Sequence, residues 1–393
     1  MATVRVKRGR AKPLWFGHPW LFSQAIERVD PDAVAGDIVD VEDDAGRFIG
    51  RGFFHPTSQI AVRMLTRKAE IADAGFFKAR LAAALELRGR LGLPSERTTA
   101  FRWVNAEGDQ LPGLNIDVYS DVVMVQLTSL GMKLRQELLF DAIEELLHPR
   151  AIFLVTSGGA AAKEGFADHV GVMRGEAPAE VEFLEDGLRF SIEPAASQKT
   201  GAFLDQRDNH RRIGGLAKGL RVLDCYTYLG GFALQALRAG ATEAVAVDIS
   251  PRAIARAKRH GEWAGVSDRL SLVEEDVFRY LEAAPEASFD LVIVDPPKFA
   301  PNRQALDAAL TGYRKLTALA LRAARPGALL ATASCSQIVD VEAFERMLGA
   351  AAVDAGKSLT ILSIDHQALD HPVPVGFPEG RYLKLFLARV NPA

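Results

Sequence analysis

The sequence predicts an α/β protein built from three modules, and three observations carry that prediction. The chain has 393 residues, too many for one ordinary hydrophobic core. From about residue 195 onward, apolar strands alternate with helical stretches, the pattern of a parallel sheet covered on both faces. Ahead of that region lie strand-like runs separated by Gly, Pro and Asp turns.

Residues 1–68 read as a small β-rich module. GDIVDVEDDAGRFIGRGFF alternates apolar and polar residues around Asp-Ala-Gly, which predicts a hairpin, and SQIAVRML is a further strand. Residues 70–182 read as a middle α/β domain. There, residues 75–92 have helical spacing, WVNAEGDQLPGLNIDVYSDVVMVQLTS reads as strands between turns, LRQELLFDAIEELLHPR is an amphipathic helix stopped by Pro149, and AIFLVTSGG is a strand. VEFLEDGLRFSIEP predicts a linking hairpin, placed at 183–194, with its turn at Glu185-Asp186-Gly187.

Residues 195–393 form the third module. Its predicted strands are LRVLDCY, EAVAVDIS, LSLVEED, FDLVIVDPP and GALLATASC, with SLTILSID and RYLKLFLARV closing the chain. Between them, GGFALQALRAG, PRAIARAKRHGEWAG, VFRYLEAA, YRKLTALALRAARPG and VEAFERMLGAAAVDAG read as helices. No internal repeat or low-complexity tract is evident.

Composition narrows the class. No run approaches a membrane span, and the basic N-terminus lacks the apolar stretch of a secretory signal. Two cysteines, with no CxxC or Cys/His cluster, argue against a disulfide scaffold or a metal site and point to reduced thiols in the cytoplasm. Net charge is −3, but its distribution is uneven. Arg5, Lys7, Arg8, Arg10, Lys12 and Arg28 precede the acidic run Asp30, Asp32, Asp37, Asp40, Glu42, Asp43 and Asp44. That segregation suggests one local face for a polyanion.

In open parallel sheets, ligands bind beyond the carboxyl ends of the strands. Asp224, Asp248, Asp276, Asp295 and Cys335 each follow a predicted strand. One such acid is often only a helix cap, but four in register with a Gly-Gly turn indicate a site. DCYTYLGGFA is not GxGxxG, so it does not offer the three spaced glycines that a pyrophosphate requires. Gly230 and Gly231 allow one close approach, Asp248 suits ribose hydroxyls and Asp276 suits an adenine amine. An adenosine ligand without a pyrophosphate, such as S-adenosyl-L-methionine, fits this set. In DPPKF, Pro296 and Pro297 fix the backbone after Asp295, a turn suited to holding a flat base, and Lys298 is a candidate for phosphate or base contact.

Cys335, in ATASCSQIVD, has three readings: buried filler, half of a disulfide, or nucleophile. As a nucleophile, its thiolate would add at carbon 6 of a pyrimidine and make carbon 5 able to accept a methyl group. Its place beside DPPKF favours that reading. Cys225, inside the donor loop, favours packing. AASQKTGAFLDQRDNHRR is dense in polar groups, with Lys199 and Arg207 candidates for phosphate or carboxylate contact; a structural cap over the sheet edge is the alternative.

QKTGAFLDQRDNHRR, DCYTYLGGFA, VAVDIS, DVF, DPPKF, ATASCS and DHPV…PEGRYLK occur in this order. Together they resemble the bacterial 23S rRNA cytosine-5 methyltransferases of the large-subunit class over essentially the whole chain. KRGRAKPLWFGHPWLFSQAI is similar to that family's PUA domain. The resemblance implies an N-terminal PUA-like β-barrel, a middle α/β domain and a C-terminal Rossmann-like class I methyltransferase domain. It further implies S-adenosyl-L-methionine as donor, 23S rRNA as partner, and no membrane or metal. The candidate catalytic residues are Cys335, Asp295 and Lys298. The candidate donor-site residues are Lys199, Thr200, Asp205, Gln206, Arg207, Asp224, Tyr226, Tyr228, Gly230, Asp248, Ile249, Asp276 and Asp295. Related enzymes carry a second cysteine after the DP of this motif that assists release, and here Pro297 stands there.

The competing readings are an RNA methyltransferase acting on an amine or ring nitrogen, a nonenzymatic RNA-binding factor, and an NAD-linked dehydrogenase. The thiol separates the first from carbon methylation, an intact donor site speaks against the second, and the missing GxGxxG against the third. The sequence leaves the oligomeric state open, with a homodimer allowed.

Overall fold

The computed structural model describes residues 1–156, 159–176, 178–196, 200–299 and 302–392. The chain forms two compact units: residues 1–184, 192–202 and 369–380 make the first, and residues 185–191, 203–368 and 381–393 the second. The chain first passes between them along a two-stranded hairpin, Val181–Glu185 and Leu188–Ile192.

The first unit contains two sheets. One has six strands in the order Trp20–Phe22, Ile60–Thr66, Phe48–Phe54, Ile38–Glu42, Thr3–Val6 and Ile26–Val29. Alternation along Thr3–Val6 and Ile38–Glu42 turns Val4, Val6, Val39 and Val41 into the core with Leu14, Leu21 and Phe54. The pairing neutralises part of the basic segment. Thr3–Val6 runs parallel to Ile38–Glu42, so the acidic run folds back onto the basic one. Arg5 pairs with Glu42 at 3.0 Å, and Arg28 with Asp30 at 3.4 Å. Lys7, Arg8, Arg10 and Lys12 remain exposed.

The second sheet has five strands, in the order Val170–Gly175, Ala151–Val155, Val122–Leu127, Leu114–Tyr119 and Ala100–Asn105. Helices Ala74–Arg90 and Gln136–Leu147 bury Phe77, Leu81, Phe140 and Ile143 against Trp103, Ile116 and Val125 from those strands. Asp73 caps the first helix by accepting the Phe76 amide.

The second unit is one seven-stranded sheet. Its order is Leu270–Glu274, Glu243–Asp248, Arg221–Cys225, Phe289–Val294, Ala324–Ser334, Lys384–Pro392 and Lys357–Asp365. The first five strands are parallel, as the apolar strand-helix alternation predicts. Lys384–Pro392 runs antiparallel to both neighbours, a feature not readable from its apolar pattern. Strand order reverses between Arg221–Cys225 and Phe289–Val294, which makes their carboxyl ends the switch point where such sheets bind ligands.

Two elements differ from expectation. The helix through YRKLTALALRA ends at Ala323, and the next strand starts at Ala324 rather than at Gly327. Pro326 disfavours helical backbone at Arg325, which ends the helix early. The polar segment after residue 203 contains a helix, Arg207–Gly214. No helix is long and apolar enough to cross a membrane among the described residues.

Candidate active site

The donor loop follows the strand Arg221–Cys225. Asp224 is buried, and its Oδ2 accepts the Thr227 hydroxyl at 2.6 Å and the Ala233 amide at 3.1 Å. Its Oδ1 is also buried and has no hydrogen-bond partner among the described residues. Burial raises the Asp224 pKa to about 6, against the pull of those two hydrogen bonds. Tyr226 and Tyr228 hold φ of 64° and 50°, a left-handed backbone unusual for aromatic residues and typical of functional turns. Gly230, at φ 87°, starts the helix Gly231–Arg238.

That helix start is closely shaped. A Cβ on Gly231 would lie 2.4 Å from His210 Cε1, so glycine there lets the imidazole sit against the backbone. His210 Nδ1 lies 2.7 Å from Glu185 Oε1. Burial alone would lower the His210 pKa, but the Glu185 carboxylate outweighs it and raises the value.

The next strand ends at Asp248, whose Oδ2 accepts the Tyr228 amide at 3.0 Å and Oδ1 the Ser250 amide at 2.9 Å. Ile249 follows with 65% of its surface exposed. Asp276 is a helix cap, as one reading of strand-end acids holds: its Oδ1 accepts the Arg279 amide at 3.1 Å.

Asp295 directly follows Val294, which pairs with Cys225 on one side and Thr332 on the other. Gln206 Nε2 donates to Asp295 Oδ2 at 2.8 Å, and Asn209 fixes the Gln206 amide by donating to its Oε1 at 2.6 Å. Burial raises the Asp295 pKa to about 7; the Gln206 bond opposes this, while Asp205 and Asp224 add to it. Asp205 Oδ2 accepts the Tyr382 hydroxyl at 2.6 Å, so the LDQR and RYLK segments meet. Lys298 is exposed on the turn beyond Asp295.

Cys335 lies just past the strand Ala324–Ser334 and is half-buried; neither it nor Cys225 is in a disulfide. Ser334 and Ser336 on either side are fully buried. The Ser334 hydroxyl donates to Tyr313 Oη at 3.1 Å and accepts the Ser336 amide at 3.3 Å. Burial pushes the Tyr313 pKa up to about 12. Cys225 is packed in the core of the sheet, and burial raises its thiol well above the ordinary value.

The second unit thus gathers Asp205, Gln206, Asp224, Tyr226, Tyr228, Gly230, Asp248, Ile249, Asp276, Asp295 and Cys335 at the carboxyl ends of its parallel strands. Arg207 is in the same unit, buried, with Asp208 at 3.9 Å. Thr200 belongs to the first unit, where its hydroxyl donates to Asp117. Lys199 lies outside the described residues. Sequence reasoning assigned nothing to His210, Tyr313, Tyr382 or Lys384. Lys384 carried one signal, a cation directly ahead of the apolar run Leu385–Ala388.

The site fits S-adenosylmethionine. That donor carries an ammonium and a sulfonium, and the buried orphan Oδ1 of Asp224 among three carboxylates suits cations. Asp248 and the exposed Ile249 suit a ribose and a flat base.

Comparison with known proteins agrees with this geometry. The family model of the PUA-like domain matches residues 4–67, and that of the S-adenosylmethionine-dependent methyltransferases matches residues 167–347. The chain is 39% identical over 394 residues to the ribosomal RNA large subunit methyltransferase I of Alteromonas mediterranea, covering 99% of each protein. It is 38% identical over 393 residues to the enzyme of the same name from Aeromonas salmonicida, again over 99% of each. A methyltransferase crystallised with S-adenosylhomocysteine shares the fold, with a TM-score of 0.86 at 23% identity over 99% of this chain and 100% of that one.

Proposed function

The chain belongs to the ribosomal RNA large subunit methyltransferase I family, and on that premise we propose that it methylates carbon 5 of a cytosine in 23S rRNA through a covalent adduct of Cys335. One observation carries the reading. Cys335 is a half-buried thiol beyond the carboxyl end of the strand that adjoins the Asp295 strand, beside the switch point of the sheet.

S-adenosylmethionine, when bound, supplies an electrophilic methyl group. Asp224 would hold its ammonium, Asp248 the ribose hydroxyls, and Ile249 with Asp276 the adenine. The Cys335 thiolate adds to carbon 6 of the cytosine, and the electron pair of the 5,6 double bond becomes available at carbon 5. Asp295 faces the base. With a pKa of about 7, it can give a proton to ring nitrogen 3 as charge develops there, and can accept from the exocyclic amine. After methyl transfer, a base takes the proton from carbon 5, the carbon–sulfur bond breaks to return the thiolate, and ring nitrogen 3 gives its proton back to Asp295.

Carbon 6 is hidden in a stacked duplex, so the target must be unpaired or turned out. The PUA-like module supports the RNA assignment. Lys7, Arg8, Arg10 and Lys12 are exposed on it, beside Trp15 and Phe16 at 48% and 68% exposure. Lys12 Nζ lies 5.6 Å from the Phe16 ring centre, and Arg47 Cζ 5.8 Å from that of Trp15. Cations beside exposed aromatic faces suit phosphates and stacked bases.

The test is nucleoside mass spectrometry of rRNA from a strain lacking this protein. Loss of one 5-methylcytosine from 23S rRNA, restored by the wild-type gene, is the expected result. Loss of a nitrogen-methylated nucleoside instead would move the assignment to an amine or ring-nitrogen methyltransferase.

A further inference from the structure

Lys384 is a buried cation without a carboxylate in contact. It is 2% exposed, and it forms no ion pair among the described residues. Its ammonium donates to the carbonyls of Ser336 at 2.9 Å and Tyr382 at 2.8 Å. Two neutral carbonyls do not offset the desolvation of a full charge, and a lysine so placed is expected to pair with an anion or lose its proton. The two hydrogen bonds leave room for an anion to meet this cation.

One candidate is the thiol one residue before Ser336, which acts on the Lys384 charge. Register places Lys384 directly opposite Ser334, and the ammonium reaches across to the Ser336 carbonyl. Ser334 in turn ties the Ser336 amide and the Tyr313 hydroxyl. Both flanks of Cys335 are thus fixed, one by a hydroxyl and the other by an ammonium. Burial lowers the Lys384 pKa to about 8, and Cys335 and Asp340 both act against that fall.

Resting on the covalent reading above, we propose that Lys384 is a positioning residue for the nucleophile: its buried ammonium favours Cys335 as thiolate and clamps the turn that aims it. Tyr313, Asp340 and Asp295, which act on this lysine or on its hydrogen-bonded neighbours, do not supply a positive charge. Tyr313, from the helix Leu306–Ala323, has a raised pKa and stays neutral at working pH. Asp340, ahead of the helix Val341–Asp354, and Asp295 are acids, which supply no positive charge in either protonation state. The thiol proton leaves to solvent, the ammonium keeps its own, and elimination at the end of the cycle restores the same ion pair.

The experiment is the pH dependence of Cys335 alkylation by iodoacetamide in the full chain. It is read by mass spectrometry on the Cys335 peptide, so that Cys225 does not contribute. Wild-type Cys335 is expected to titrate below the ordinary thiol value of about 8.5. A midpoint at or above that value overturns the proposal without recourse to any variant. Lys384→Met keeps the length of the side chain and removes its charge; it is expected to lower alkylation at pH 7 roughly tenfold, with Lys384→Arg retaining a low midpoint. Calorimetric binding of S-adenosylmethionine reports that each variant is folded. A folded Lys384→Met protein with an unmoved midpoint overturns the proposal. Failure of the covalent reading looks different: Cys335→Ala would then still transfer methyl groups.

Discussion

Asp295 shows how burial sets chemistry at a single residue. Its pKa of about 7, against an ordinary 3.8, means the native state holds a proton there that the unfolded chain has released. Between pH 4 and 7 the native state therefore binds more protons, and stability falls as pH rises through that window. Asp224, at about 6, adds to the same trend. Asp295→Asn removes the ionisation while keeping an oxygen for Gln206. It is expected to be more stable than wild type at pH 8, by on the order of 2 kcal/mol, with the gain vanishing toward pH 4. Thermal melts across that range check it, and methyl transfer by the variant should fall by 100-fold or more, on the order expected for a lost proton donor. Asp224, Asp248, Asp295 and Cys335 were legible in the sequence because each ends an apolar strand. Lys384 and His210 were not. Lys384 meets the carbonyl of a residue 48 positions away, and His210 a carboxylate 25 positions away. No local pattern reports such pairings.

At the scale of elements, the donor loop depends on a helix start with no side chain. Gly231→Ala would drive a methyl group into the His210 ring, which is held by Glu185 and packed edge-on against Phe232 at 4.5 Å. Overpacking of this kind costs about 1–3 kcal/mol. The variant is expected to melt several degrees lower and to bind S-adenosylmethionine more weakly, as read by calorimetry. Tyr313→Phe removes the hydroxyl that anchors Ser334, a loss of about 1 kcal/mol. The long helices and the parallel strands were readable because their apolar periods run for many residues. Thr3–Val6, Trp20–Phe22 and Ile26–Val29 were not individually readable, because three or four residues carry no period. Arg207–Gly214 escaped because RDNHRRIG has a single large apolar residue.

At the scale of the whole molecule, the chain joins a PUA-like module to a methyltransferase, and its two compact units are not contiguous in sequence. Residues 192–202 and 369–380 belong to the first unit although both flank segments of the second. Asp370, for example, is buried there, accepting the Arg102 amide at 2.9 Å across 268 residues. Pairings that remote are set by tertiary packing and leave no mark in composition. The exposed aromatic pair gives the RNA assignment a quantitative test. Replacing Trp15 and Phe16 together by alanine is expected to weaken rRNA binding by roughly tenfold or more, given about 1–3 kcal/mol per stacked base, without changing donor affinity. Filter binding at fixed salt measures the first quantity and calorimetry the second.

The central claim is a covalent bond between Cys335 and cytosine carbon 6, and it can be trapped. Fluorine at carbon 5 cannot leave as a proton does, so rRNA transcribed with 5-fluorocytidine should hold the enzyme after methyl transfer. The measurement is a denaturation-resistant protein–RNA adduct, formed with S-adenosylmethionine present and mapped to its peptide. The account expects the adduct with wild type, on the Cys335 peptide, and none with Cys335→Ala, which should also lose methyl transfer while still binding the donor. Methyl transfer by Cys335→Ala at near wild-type rate, or an adduct at another residue, would contradict it.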